Sequence, residues 1–149
     1  MTQEERKSIM YAQGRANALA LQEKAPDMTG TELNAADSDI PSFKAAVTNT
    51  NMLERKAGFV CRSSAGRVVR LVQPYDSTIY TQEPEELPAQ WGFAWSTDPA
   101  KALPFVAMST SPYNKGDCCT EGGKVYRSTL DNNVWSPSAY PQGWEEVNV

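Results

Sequence analysis

Histidine is missing altogether from the 149 residues. Imidazole is the common proton carrier near neutral pH, the common partner of a Ser or Cys nucleophile and a frequent zinc ligand. Its absence excludes Ser-His-Asp catalysis, Cys-His catalysis and histidine-ligated zinc together. Cysteine is scarce as well: Cys61, Cys118 and Cys119 make an odd set with two neighbours and no Cys-x-x-Cys spacing. Such a set is no disulfide framework, and adjacent cysteines fit the bond geometry poorly. We expect reduced thiols, not needed for binding, with Cys118 and Cys119 alternating so that one faces the core and the other points outward. No metal and no cofactor is expected.

Long apolar runs are also lacking, and the longest fall far short of the roughly 20 residues a membrane span needs. The opening Met1-Thr2-Gln3-Glu4-Glu5 is acidic where a secretory signal is basic, and no apolar stretch follows it. The expectation is a chain made in the cytoplasm, without usual export and without membrane contact. Excess positive charge is absent: 14 Lys and Arg stand against 18 Asp and Glu, for a net charge of −4, which argues against nucleic acid as a partner. Leu, Ile, Val and Phe make up only about a sixth of the chain. A low aliphatic share signals disorder when the net charge is high, but here the charge is small. Four Trp and six Tyr supply apolar mass instead, so the expectation is a folded chain with small, aromatic-rich cores.

All four Trp lie beyond residue 90, at Trp91, Trp95, Trp135 and Trp144, while the first fifty residues hold only Tyr11 and Phe43. Thr2 followed by Glu5 fits a capping box. The stretch from Gln3 to Lys24 has no Pro and is rich in helix formers, and Pro26 closes it. Ile9, Ala12, Ala16, Leu19 and Ala20 recur at helical spacing as one thin stripe. Such a helix is marginal alone and must pack on this chain, on copies of itself or on a partner. Thr29 or Thr31 caps a short second helix. From Lys56 the period becomes strand-like, at Phe59–Arg62, Arg67–Val72, Trp91–Trp95, Cys118–Thr120, Lys124–Ser128 and Gly143–Val147, with turns at 63–66, 121–123 and 131–133. Trp91, Phe93 and Trp95 share a face and are expected to be buried. Residues 103–107 read as a short apolar link.

The β segments repeat. Gly58 matches Gly116, Gly66 matches Gly123 after a slip of one residue, and Arg70 matches Arg127. Pro84-x-x-x-Pro88-x-x-Trp91 recurs as Pro137-x-x-x-Pro141-x-x-Trp144 with the same spacing. This predicts an α+β chain: an N-terminal helical segment over 1–50, then two tandem, small, three-stranded antiparallel β modules over 51–107 and 108–149.

The second copy carries Tyr113-x-x-Gly116-Asp117, then Gly123-x-x-Tyr126 and Trp135-x-Pro137-Ser138-x-x-Pro141-x-x-Trp144. In these residues it resembles the chitin- and cellulose-binding modules of carbohydrate-binding families 5 and 12. The likeness spans about 35 residues strongly and the first module weakly. The whole arrangement, a polar helix followed by a degenerate and then a fuller module, resembles small tail-associated accessory proteins of tailed phages and prophages of Gram-positive bacteria.

The resemblance implies a carbohydrate site at Trp135, Trp144 and Tyr140, since a flat aromatic ring can lie on the apolar C–H face of a sugar. The alternative for each Trp is the core of a module too small to have another. In the first copy the position of Trp135 is Gln82 and that of Tyr126 is Val69, so a stacking platform is not expected there. Asp117, Asp131, Glu145 and Glu146 are the carboxylates near such a site. Glycosidases need two carboxylates flanking the bond, whereas Glu145 and Glu146 are adjacent in a strand and Asp117 and Asp131 sit in turns, so no enzyme is expected. The implied function is a non-enzymatic virion accessory protein of the tail, baseplate or fibre. Its distal module would hold a chitin- or peptidoglycan-like surface glycan. Its residues 2–24 would bind other virion proteins or oligomerise, with three copies favoured. On this reading a chain starting near residue 50 stays folded. The alternatives are a purely structural particle protein and a free bacterial carbohydrate-binding protein.

Overall fold

The computed structural model describes residues 2–149. Helix α1 runs over Gln3–Lys24, capped by Thr2 in a full capping box with Glu5, and continues as a tight turn over Ala25–Asp27. Helix α2, Gly30–Ala35, has a second capping box between Thr29 and Glu32, and α3 spans Phe43–Asn49 behind a Ser42 cap. Strands β1 (Val60–Arg62), β2 (Val68–Leu71) and β3 (Trp91–Phe93) form an antiparallel sheet in that order. A second sheet has the order β4 (Leu103–Pro104), β5 (Cys118–Glu121), β6 (Lys124–Ser128) and β7 (Trp144–Val147). The chain is α+β: a helical N-terminal segment followed by two small sheets.

The repeat read from the sequence is a repeat of register. Val60 pairs with Arg70 as Cys118 pairs with Arg127, and Cys61 pairs with Val69 as Cys119 pairs with Tyr126. Leu71 meets Trp91 as Ser128 meets Trp144. Gly58 and Gly116 share a φ of 98°, and each donates its N–H to the residue that pairs with the Trp, Leu71 or Ser128. The one-residue slip at the hairpins has a plain cause. Gly122 and Gly123 both have positive φ and make a two-residue turn, whereas Ser64, Ala65 and Gly66 make a three-residue loop with only Gly66 left-handed.

The repeat also extends further upstream than the sequence reading had it. The apolar link becomes β4, parallel to β5, with Pro104 opposite Thr120. Ser42 makes a parallel bridge to Arg62 at the equivalent edge of the first sheet. Each module is therefore bordered by an edge segment carrying a Phe: Phe43 lies edge-on to Trp91 at 5.8 Å and Phe105 edge-on to Trp144 at 6.0 Å.

The first sheet is covered on both faces. Cys61, Val69, Leu71 and Trp91 pack with Phe43, Ala46, Met52 and Tyr75 on one side. Val60 and Val68 pack with Leu21, Ala25, Leu33 and Ile40 on the other. The helical segment is thus part of the first module's core from Leu21 onward. A chain starting near residue 50 would lose these partners on both faces, so it is expected to unfold rather than to stay folded. Before Leu21, residues 2–17 are all exposed. Gln22 fixes the junction, with its side chain donating to Val60 O at 2.8 Å and accepting from Val60 N at 3.0 Å.

The modules are joined by aromatic rings. Phe93, Trp95, Tyr113 and Phe105 stack in series at 5.5, 4.2 and 5.3 Å. Trp91 is fully buried, but Phe93 and Trp95 are half-buried, because the strand ends at Phe93 and Trp95 crosses to the second module. All three cysteines are free and buried, as expected of reduced thiols, but neither of the adjacent pair points outward to solvent. Cys119 faces the core, and Cys118 is covered from the other side by the inter-module linker, where its thiol lies 3.7 Å from Thr97 O and its N–H donates to Ser96 O.

Candidate functional site

The loop between β6 and β7 carries Trp135 and Tyr140, Trp144 opens β7 just after it, and the loop is held by a dense set of hydrogen bonds. Asn132 sits at φ 56°, a left-handed conformation that Asn tolerates well. Asn133 is completely buried and uses every polar group it has. Its backbone exchanges two hydrogen bonds with Tyr113. Its Nδ2 donates to Ser128 Oγ and Gly143 O, each at 3.0 Å, and its Oδ1 accepts the Trp135 N–H at 3.2 Å. Ser138 N donates to Glu121 Oε1 at 2.9 Å, tying the loop to the β5–β6 turn.

On this frame the three aromatics separate. Trp135 is 50% exposed and Tyr140 38% exposed, with ring centroids 5.5 Å apart and tilted by 57°. Trp144 is only 7% exposed. It lies edge-on to Tyr113 at 5.3 Å and donates its Nε1–H to Trp135 O at 2.8 Å. Burial removes its ring from a stacking surface and makes it the strut beneath one. The expected trio is therefore a pair, Trp135 and Tyr140, resting on Trp144. Tyr126 is half-buried against the same core.

The first module has no such pair. Its counterparts are exposed Gln82 and buried Leu87. Tyr113 belongs to the sequence motif without an assigned role, and Asn133 lies just ahead of the motif's Trp135. The signal for Asn133 was its place two residues before Trp135, where an Asn side chain can accept the N–H of residue i+2.

The carboxylates have ordinary duties. Asp131 Oδ1 accepts from Lys115 N at 3.0 Å and Asp117 Oδ2 from Asn114 N at 2.8 Å. Glu145 and Glu146 are exposed, and Glu146 lies 3.8 Å from Lys124. Burial holds the Asp117 carboxyl above the usual range, against the opposing Asn114 hydrogen bond. Burial also raises the phenol of Tyr113 and the thiol of Cys119, the latter to about 12.

Among the described residues, no group of three or more His, Cys, Asp or Glu is placed to hold a metal ion. Among the described residues, no helix is long and apolar enough to cross a membrane either. No protein-family model, curated protein or solved structure matches the chain. The resemblance to sugar-binding modules thus rests on the motif residues quoted for it.

Proposed function

We propose that this chain is a non-enzymatic accessory protein of a phage particle that attaches to a surface glycan through Trp135 and Tyr140. The observation that carries the reading is the pair itself: two large exposed rings on one loop whose backbone is pinned by a fully satisfied buried Asn. A rigid aromatic surface loses little conformational freedom on binding, which suits the weakly apolar face of a sugar. The protruding part of α1, with Ile9, Met10, Tyr11 and Leu19 exposed, supports its use as the assembly element. Three copies brought together there would raise the avidity of a weak single site.

The test is retention of the full-length protein on chitin and on purified bacterial cell walls. Trp135→Ala should weaken retention by about tenfold or more, the effect expected of an aromatic anchor, and Tyr140→Ala should do so less. A folded protein retained on no glycan, yet incorporated into particles, would favour the purely structural alternative. Assembly is tested by deleting residues 2–18, which stops short of Leu21. The shortened chain should stay folded, sediment as a monomer and fail to join the particle.

A further inference from the structure

A cleft of about 500 Å³ lies between the two modules, away from the ring pair. That volume is in the range of small-ligand sites, which favour interfaces between domains. Arg70, Gly92 and Phe93 of the first sheet line it together with Trp95, Ser111 and Asp117.

The repeat makes this cleft unusual. In the second sheet Arg127 pairs across the strands with Glu145; at the same place in the first, Arg70 pairs with Gly92. The first module keeps the arginine and lacks the carboxylate opposite it, although Arg127 and Glu145 themselves stay beyond ion-pair distance. Arg70 donates one Nη–H to Met28 O at 3.2 Å, and among the described residues its guanidinium has no carboxylate within 4 Å. A Cβ on Gly92 would meet Val72 at 3.5 Å and Ser111 Oγ at 3.9 Å, both lining the cleft, so a side chain there would grow into the cavity. The absent side chain thus leaves room for a ligand beside an arginine short of a counter-charge. Ser111 stitches the floor, its Oγ accepting from Phe93 N at 2.9 Å and its O from Trp95 Nε1 at 2.8 Å. The Asp117 carboxylate gives the cleft an electrical direction.

We propose that the inter-module cleft binds an acidic sugar unit, with its carboxylate on Arg70 and its hydroxyl or amide donors toward Asp117, beside the edge of the Phe93–Trp95 stack. An anion set the other way would face Asp117, so the sugar has one orientation. The proposal rests on the glycan reading for the choice of a sugar over another carboxylate. It adds a second binding site and the charge of the residue that fills it.

The probes are N-acetylmuramic acid and N-acetylglucosamine, which differ by one carboxylate-bearing ether group, titrated into isotope-labelled full-length protein. The acidic sugar should shift the amides of Gly92 and Phe93 and the indole of Trp95. It should bind at least about tenfold tighter than the neutral one, as a charge-assisted contact predicts. Arg70→Gln should erase that preference. Gly92→Glu, which installs the carboxylate the second module has, should close the cleft while the amides of the second sheet stay in place.

Equal binding of both sugars, shifts confined to the Trp135 loop, or the same cleft shifts from inorganic phosphate alone would each overturn the proposal. The two readings fail separately. Trp135→Ala should weaken wall retention by the same factor of about tenfold or more and leave the cleft shifts, and wall retention without cleft shifts would leave the ring pair as the glycan site on its own.

Discussion

In the first module the third strand opens on Trp91, which meets Phe43 and Tyr75 edge-on and gives its Nε1–H to the Tyr75 hydroxyl at 3.0 Å. In the second the equivalent strand, β7, opens on Trp144, which meets Phe105 and Tyr113 edge-on and gives its Nε1–H to the backbone of Trp135. The same Trp, Phe and Tyr cage is built twice. The difference is one hydrogen bond: the first indole is satisfied inside the core, and the second reaches the loop that presents an exposed ring. A single register thus yields a closed packing unit in one copy and a core coupled to its surface in the other.

The cysteines sharpen the comparison most. Cys61 and Cys119 hold equivalent positions and are both fully buried. Burial outweighs the nearby Arg55 charge in raising the Cys61 thiol, and burial with Glu121 raises that of Cys119 to about 12. Against an ordinary value of 9.0, the reactive thiolate of Cys119 at pH 8 should be about a thousandfold rarer than in an unfolded chain. Native-state alkylation followed by mass spectrometry should show Cys118 reacting first and the equivalent pair last. The linkage has a definite sign. A thiol whose pKa is raised by folding contributes stability that is whole below the unfolded value and lost as pH rises toward the folded one. Denaturant midpoints should therefore fall above about pH 9. Rapid labelling of Cys61 with protection of Cys119 would break the equivalence.

Next come the tryptophans. Trp91→Ala and Trp144→Ala should each cost about 3–5 kcal/mol in urea denaturation, as large aromatic deletions from a core do. They should differ in kind: Trp144→Ala should also loosen the Trp135 loop, read as higher amide exchange over 134–140, while Trp91→Ala should leave that loop protected.

Much of this was legible because it is local. Helix α1 and β6 have the bounds the sequence indicated, and β7 starts one residue later, at Trp144, because Gly143 closes a tight turn; capping boxes, alternation and glycine turns act within a few residues. The Pro and Trp spacing gave the register of the repeat. What escaped was set by distant chain. The two-residue β4 has no local signature, because a parallel edge pairs with residues far along the chain. Alternation puts Cys118 outward, but the linker after β3 covers that face. No spacing could decide which of Trp135 and Trp144 faces solvent, because a small module needs one indole for its core and the motif supplies both. Packing decides, through the Nε1–H bond that Trp144 makes and Trp135 does not.

Asn133 supplies a smaller contrast. Its counterpart by the Pro and Trp spacing is Tyr80, which is 51% exposed. Asn133→Ala leaves the Trp135 N–H without a partner, whereas Gly143 O keeps the Thr129 N–H and Ser128 Oγ keeps Leu130, and should cost about 1–3 kcal/mol in thermal or urea unfolding, the penalty of a buried polar group left unmade. Tyr80→Ala should stay within about 0.5 kcal/mol, as exposed substitutions do. Equal costs would mean that both loops are braced, against the geometry.

The hairpin turns should differ least. A Cβ added at Gly66 or Gly123 meets nothing within 4 Å, so neither substitution creates a clash and each reports backbone conformation alone. Gly66 has φ 88° and Gly123 φ 80°, where an L side chain is disfavoured by about 1–2 kcal/mol. Gly66→Ala and Gly123→Ala should therefore each destabilise by about 1 kcal/mol, and the two losses should agree within error although one loop has three residues and the other two. Agreement in urea midpoints would show that the left-handed residue, not the loop length, fixes each hairpin. A loss at Gly123 well beyond that at Gly66 would instead locate extra strain in the turn where Gly122 is left-handed as well, and would make the two-residue turn the tighter constraint on the module that carries Trp135 and Tyr140.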